Sequence, residues 1–277
     1  MKPPSTPPAP DQNIIETRNL CKSFGGIHAV NDLNLTVKRN TIHALIGPNG
    51  AGKTTVFNLL TKFLAPTSGQ ILFDGVDITY VSPSALARRG IVRSFQISST
   101  FESLTVLENV RVALQRPLGT SLHFWRSKSS LYTLHEHALE LIEWVGLSNQ
   151  LNMLAGSLPY GQKRALEIAT TLALEPEMLL LDEPFSALDE LTRDFMNMEL
   201  QRICAERQAT TFLVTHSLDE AVILSDRILV MKSRPGRIVE DVRIDLPRPR
   251  TLEMVNTPYF GEIISHIRGL LGKEAHE

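Results

Sequence analysis

The chain has 277 residues, 43% of them hydrophobic, enough apolar material for a sizeable core in one large domain with at most a subdomain. Twenty-eight basic against 30 acidic residues leave a formal net charge of -2, which gives no electrostatic ground for a nucleic-acid partner or a polybasic membrane anchor. Cys21 and Cys204 stand in no metal-ligand or redox spacing and read as reduced structural thiols.

From Met1 to Gln12 the residues are mostly Pro, Ser and polar, a composition that buries little surface and reads as an extended tail, with folded structure starting near Asn13. No apolar stretch of signal-peptide length opens the chain and no apolar run approaches the ~20 residues of a membrane span, so if the protein serves a membrane another chain crosses it. Thr41 to Ile46 reads as a strand feeding Gly47. Thr55 to Leu64 then places Val56, Leu59, Leu60, Phe63 and Leu64 on one helical face.

The Ser-rich stretch from Arg116 to Ser130, with Phe124 and Trp125, has no clear period and reads as a loop. Ser130 to Val145 and Gly161 to Leu174 read as helices, the second with Ala165, Ile168, Ala169, Leu172 and Ala173 at helical spacing. Met178 to Leu181, Thr211 to Val214 and Ile228 to Met231 are continuous apolar runs, as strands buried on both faces require. This alternation gives an α/β fold with a mainly parallel sheet covered by helices.

The strongest chemical signal is Gly47-Pro48-Asn49-Gly50-Ala51-Gly52-Lys53-Thr54-Thr55, placed after a strand and before an amphipathic helix. Such a loop turns several backbone N–H groups onto β- and γ-phosphates, and the helix N-terminus adds a favourable dipole. Lys53 is expected to neutralise phosphate charge and Thr54 to ligate Mg2+. The loop alone separates neither kinase from GTPase nor GTPase from transport ATPase.

Joined to Leu179-Leu180-Leu181-Asp182-Glu183-Pro184, Ser186-Ala187-Leu188-Asp189 and Val214-Thr215-His216, the loop resembles the ATPase cassette of ABC transporters. The resemblance runs from Asn13 to about Gly272. It implies a P-loop NTPase with a mainly parallel core sheet, an antiparallel β subdomain and a helical subdomain over about 97–175, leaving 273–277 as a C-terminal tail. It further implies that Asp182 holds Mg2+ through water and Glu183 polarises the attacking water of ATP hydrolysis. Gln96, which senses Mg2+ and the γ-phosphate, and the switch histidine His216 complete the catalytic set. By the same resemblance Phe24 stacks on adenine, core packing being its alternative role, and Asp189 joins the nucleotide-binding residues.

The usual signature Leu-Ser-Gly-Gly-Gln is here Leu158-Pro159-Tyr160-Gly161-Gln162, so proline replaces the serine hydroxyl and removes a backbone donor. Ser157, Gly161, Gln162 and the start of a helix remain to face phosphate. Ser217 follows His216 where many importers have Asp. The resemblance implies two cassettes paired head to tail with ATP between the phosphate loop of one and the signature of the other. It also implies two transmembrane permease subunits, an indirectly acting periplasmic or extracellular solute-binding protein, and a peripheral place on the cytoplasmic face of the inner membrane. Residues up to about 170 are similar to branched-chain amino acid importer ATPases, and those from about 182 to nitrate, sulfonate and taurine importer ATPases. The first half, which would meet the membrane subunits through Ile97 to Val110, favours the amino acid type. A soluble, non-transport ABC ATPase is the alternative from another class.

Overall fold

A computed structural model of the chain describes residues 12–93, 100–115, 128–186, 188–233 and 235–272. In chain order the strands and helices are β1 (Asn13–Phe24), β2 (Ile27–Leu33), β3 (Thr36–Lys38), β4 (Ile42–Ile46), α1 (Lys53–Leu60), β5 (Ser68–Phe73), β6 (Val76–Asp77), α2 (Pro83–Arg88), β7 (Ile91–Arg93) and α3 (Val106–Gln115). They continue with α4 (Lys128–Trp144), α5 (Tyr160–Leu172), β8 (Met178–Asp182), α6 (Glu190–Arg207), β9 (Thr210–Val214), α7 (Leu218–Leu224), β10 (Arg227–Lys232), β11 (Arg237–Arg243) and α8 (Pro258–Gly272).

Two sheets organise these elements. The larger has six strands in the order β11-β10-β4-β9-β8-β7, parallel from β10 through β7, with β11 antiparallel at one edge. The smaller is antiparallel in the order β2-β1-β5-β6, with β3 paired to β1. The expected α/β class with a mainly parallel core and an antiparallel β unit is what the backbone forms.

All five residues of β4, β8 and β9 are buried, as the continuous apolar runs require of strands covered on both faces. Alternation along each strand then divides the core into two layers. Met178, Leu180, Phe212 and Val214 join Val56, Phe57, Leu59 and Leu60 of α1 on one side. Leu179, Leu181 and Leu213 face the helices on the other side, where Ala165, Ile168, Ala169, Leu172 and Ala173 are all buried. Helices α3, α4 and α5 pack on one another in that second layer.

The structure corrects one helix. α1 ends at Leu60 rather than running to Leu64, because the Thr61 hydroxyl donates back to Phe57 O at 2.8 Å and Lys62 turns left-handed at φ 65. Phe63 is therefore 53% exposed instead of sharing the buried face, and Phe57, absent from the sequence expectation, is buried in its place. Residues 1–11 of the expected tail and most of the expected loop after Arg116 fall outside the described residues. Both cysteines are free.

Candidate functional site

Parallel register builds the site. Asp182 is level with Val214 of β9, and Val214 is level with Leu45 of β4, so the phosphate loop after β4, the carboxylates at the end of β8 and the turn after β9 share the C-terminal edge of the sheet. In open parallel sheets that edge is where ligands bind.

The loop needs its glycines for close approach. A Cβ at Gly47 would stand 2.7 Å from Met231 O. Gly52 caps α1 at φ 91, where a Cβ would meet Ala29 O at 2.7 Å, so only glycine fits without moving backbone. The Ala51 N–H donates to Pro48 O at 3.2 Å and closes the turn; Asn49 and Gly50 lie exposed at its tip, Thr54 is exposed just inside α1, and Thr55 is half-buried. Lys53 folds back over the loop and donates to Gly47 O at 2.7 Å and Pro48 O at 3.1 Å. Burial lowers its pKa, while Glu183 and Asp182 oppose that shift. An ammonium held only by carbonyls is one that a phosphate oxygen can take over.

At the end of β8, Asp182 is buried and its Oδ2 has no hydrogen-bond partner. Burial raises its pKa above the ordinary carboxylate range, against the pull of Arg93. An orphaned buried carboxylate oxygen is the chemistry a divalent cation would satisfy, so the residues present fit Mg2+. Among the described residues no three His, Cys, Asp or Glu side chains converge as ligands, so an ion on Asp182 would draw its remaining oxygens from hydroxyl, water and phosphate.

Glu183 adopts a left-handed backbone at φ 46, held by its N–H donating to Val214 O at 2.8 Å. A non-glycine residue kept there carries strain that surrounding contacts must offset. The turn swings its carboxylate toward the β9 end, where His216 Nδ1 lies 3.3 Å from Glu183 Oε1 with the imidazole 60% exposed.

Phe24, at the end of β1, is 46% exposed with the Lys22 ammonium 5.1 Å from its ring centroid. That exposure is against core packing and leaves a ring face free to stack. Ser157, Gly161 and Gln162 lie in another region, at the start of α5 beside Thr192 of α6. Ser157 donates its hydroxyl to Leu154 O at 2.8 Å, and Pro159 sits at the N-cap of α5 with no side-chain cap. Asp189 caps α6, accepting from the Thr192 N–H at 3.0 Å, and that bond lowers its pKa. Gln96 lies outside the described residues.

Sequence reasoning missed Arg164, whose Nε donates to Pro184 O at 2.8 Å and whose Nη1 meets Glu167 Oε2 at 2.5 Å. It ties the signature helix to the residue after Glu183. Arg93 was also missed: its guanidinium lies between the Phe57 and Phe63 rings at 4.7 and 4.9 Å and donates to Asn58 Oδ1 at 3.0 Å. A basic residue three short of Gln96 was the available signal.

The family model described as ABC transporter matches residues 30–186. The chain belongs to the ABC transporter family. It is 38% identical to the high-affinity branched-chain amino acid transport ATP-binding protein BraF of Pseudomonas aeruginosa over 79% of this chain and 88% of that protein. It is 34% identical to the nitrate import ATP-binding protein NrtC of Synechococcus elongatus over 89% of this chain, a match that spans 36% of NrtC. Among solved structures, the dimeric cassette MJ0796 in a post-hydrolysis state bound to ADP and Pi superposes with a TM-score of 0.69 at 26% identity, covering 84% of this chain and all of that one. The chain is an ABC-type ATP hydrolase, and among the described residues no helix is long and apolar enough to cross a membrane.

Proposed function

We propose that the chain is the motor subunit of an ABC importer, working as two head-to-tail copies that drive separate transmembrane subunits from the cytoplasmic face of the inner membrane. The observation that carries the catalytic part is the Glu183 to His216 contact of 3.3 Å beside the orphaned oxygen of Asp182. Lys53 and the backbone N–H groups of residues 47–55, Pro48 having none, grip the phosphates of ATP, and Phe24 stacks on the base. Thr54, Asp182 and Gln96 hold Mg2+, which supplies charge neutralisation on the β- and γ-phosphates when bound. Glu183 accepts the proton of the attacking water, and His216 contacts the γ-phosphate.

The signature faces the other copy's nucleotide. With the Ser157 hydroxyl donated to Leu154 O, the free N–H groups of the first turn of α5, Gly161 among them, carry that contact, with Gln162 and Asp189 nearby. Coupling to the membrane subunits is supported by an apolar groove of about 460 Å³ between the turn after α1 and helices α2, α3 and α5, lined by Thr61, Phe63, Arg93, Phe101, Val112 and Ala113. An amphipathic helix from a permease subunit fits such a groove. On this reading residues 13–272 form the cassette, about 97–175 its helical subdomain, and a periplasmic or extracellular solute-binding protein delivers substrate without touching this chain.

The substrate is of branched-chain amino acid type, since the groove lies in the half of the chain that resembles those importers and the similarity to BraF supports it. A nitrate, sulfonate or taurine type is the second reading, favoured by the residues after Asp182 and by the similarity to NrtC. Co-purification with candidate permease pairs tests the choice. Capture of an amino-acid-type pair supports the first reading, and selective capture of a nitrate- or sulfonate-type pair overturns it.

A further inference from the structure

Glu220 is 4% exposed although it lies in the first turn of α7, where an acidic side chain ordinarily gains by facing solvent near the helix N-terminus. Its surroundings explain what it does instead. The Thr215 hydroxyl donates to Glu220 Oε2 at 2.9 Å, the Ser217 N–H donates to the Thr215 hydroxyl at 3.0 Å, and the Glu220 N–H donates to the Ser217 hydroxyl at 3.3 Å. Thr215 is itself pinned to the phosphate-loop strand, its N–H donating to Leu45 O at 3.2 Å. The three residues close a ring around His216, whose side chain points out of the ring toward Glu183.

We propose that Glu220 is the positioning residue of His216: its carboxyl closes a hydrogen-bonded ring through Thr215 and Ser217 that fixes the turn presenting the imidazole to Glu183. The inference rests on the reading of Glu183 and His216 as the pair that handles the attacking water and the γ-phosphate. The three residues between the end of β9 and the start of α7, Thr215, His216 and Ser217, would otherwise leave the imidazole free to swing, and a displacement of about 1 Å at a reacting centre can lower turnover on the order of a hundredfold.

The ring also carries a proton. Glu220 Oε1 is buried with no hydrogen-bond partner, a costly state for an ionised carboxylate. Burial pushes the Glu220 pKa up to about 7; Glu183 at the end of β8 adds to the rise, while the Thr215 hydroxyl, Arg193 of α6 and His216 pull it down. Near neutral pH the group is therefore divided between acid and carboxylate. Geometry is held in both forms, because either form accepts from Thr215.

The test uses ATP turnover and ATP binding by the purified full-length chain. Thr215→Val removes the hydroxyl at constant shape and is expected to lower kcat roughly ten- to a hundredfold with ATP affinity unchanged, while Thr215→Ser restores it. Glu220→Gln is fixed in charge and is expected to lose an inflection near pH 7 from the pH profile of kcat. Wild-type kcat in Thr215→Val, or a Glu220→Gln profile that superimposes on the wild type, overturns the proposal. If Thr215→Val fails to bind ATP, Ser217→Ala decides by the same readout, because it removes the hydroxyl that accepts from the Glu220 N–H: a lowered kcat supports the ring and wild-type kcat overturns the proposal. Glu183→Gln and His216→Ala run in parallel. Turnover retained in those two refutes the catalytic pair, whereas their loss together with an indifferent ring refutes only the role of Glu220.

Discussion

Replacing Arg250 by alanine removes the side chain that locks the C-terminal segment to α7, the helix that follows His216. The Arg250 residue is 2% exposed. Its Nη1 donates to Ser225 O at 2.7 Å, Val222 O at 2.8 Å and Ile223 O at 3.4 Å, capping the C-terminus of α7, while Nη2 and Nε reach Ile244 O and Leu246 O, each at 3.3 Å. Gln201 of α6 brackets the same residue, donating to Arg250 O at 2.9 Å and accepting from its N–H at 2.7 Å. The two shortest charge-assisted bonds contribute on the order of 1.5–3 kcal/mol each. Against them stands the burial of the guanidinium, which lowers its pKa to about 10 and at about 1.4 kcal/mol per unit costs roughly 3 kcal/mol.

Those terms nearly cancel for the pair, but truncation does not return to the starting point. It leaves helix-terminal carbonyls buried without donors and opens a cavity, so Arg250→Ala is expected to cost about 3–5 kcal/mol. For a chain of this size that lowers the thermal midpoint by roughly 6–20 °C. Urea unfolding followed by circular dichroism measures the free energy, and ATP binding well below the midpoint should persist because the phosphate loop is remote from the lesion. A loss below about 1 kcal/mol, the size of an ordinary surface substitution, would refute the reasoning.

Lys53→Ala should weaken ATP binding, read by equilibrium titration with a fluorescent nucleotide, since it deletes the ammonium now held by Gly47 O and Pro48 O; unchanged affinity contradicts its role. Lys62→Gly should raise the thermal midpoint by a few degrees at pH 7, because it removes a left-handed backbone strain at φ 65 and a buried ammonium without a hydrogen-bond partner. Burial pushes the Lys62 pKa down to about 8 from 10.5, so the unfolded chain binds more protons between those values and wild-type stability gains from this group as pH rises from 8 to 10.5. The glycine variant should lack that gain, and a lowered midpoint at pH 7 would count against the account. Pro159→Ser should change turnover modestly, whereas a rise of several orders of magnitude would mean that the natural signature is degenerate.

What the sequence disclosed followed from how local each feature is. The phosphate loop, the buried strands β4, β8 and β9 and the inner face of α5 are written in contiguous residues and simple periods, and they fold where those periods put them. The end of α1 was illegible because Thr61 turns its hydroxyl back on Phe57 and Arg93 offers Phe63 a stacking partner from a distant strand. Glu220 reads in one dimension as a solvated acid beside Asp219. Its burial depends on Thr215 and on the packing of α6, Arg193 included. Arg250 likewise looks like a surface charge until α7 and the segment after β11 converge on it. Similarity to a family supplied the antiparallel unit, whose strand pairs join residues as far apart as Ile15 and Phe73.

The central claim is that Glu183, turned by its left-handed backbone toward His216, accepts the proton of the water that attacks ATP. Glu183→Gln keeps the shape and removes the basicity. ATP binding and single-turnover hydrolysis should be measured on that variant side by side. The account predicts nearly intact binding with hydrolysis nearly abolished, and near-normal turnover in the glutamine variant would contradict it.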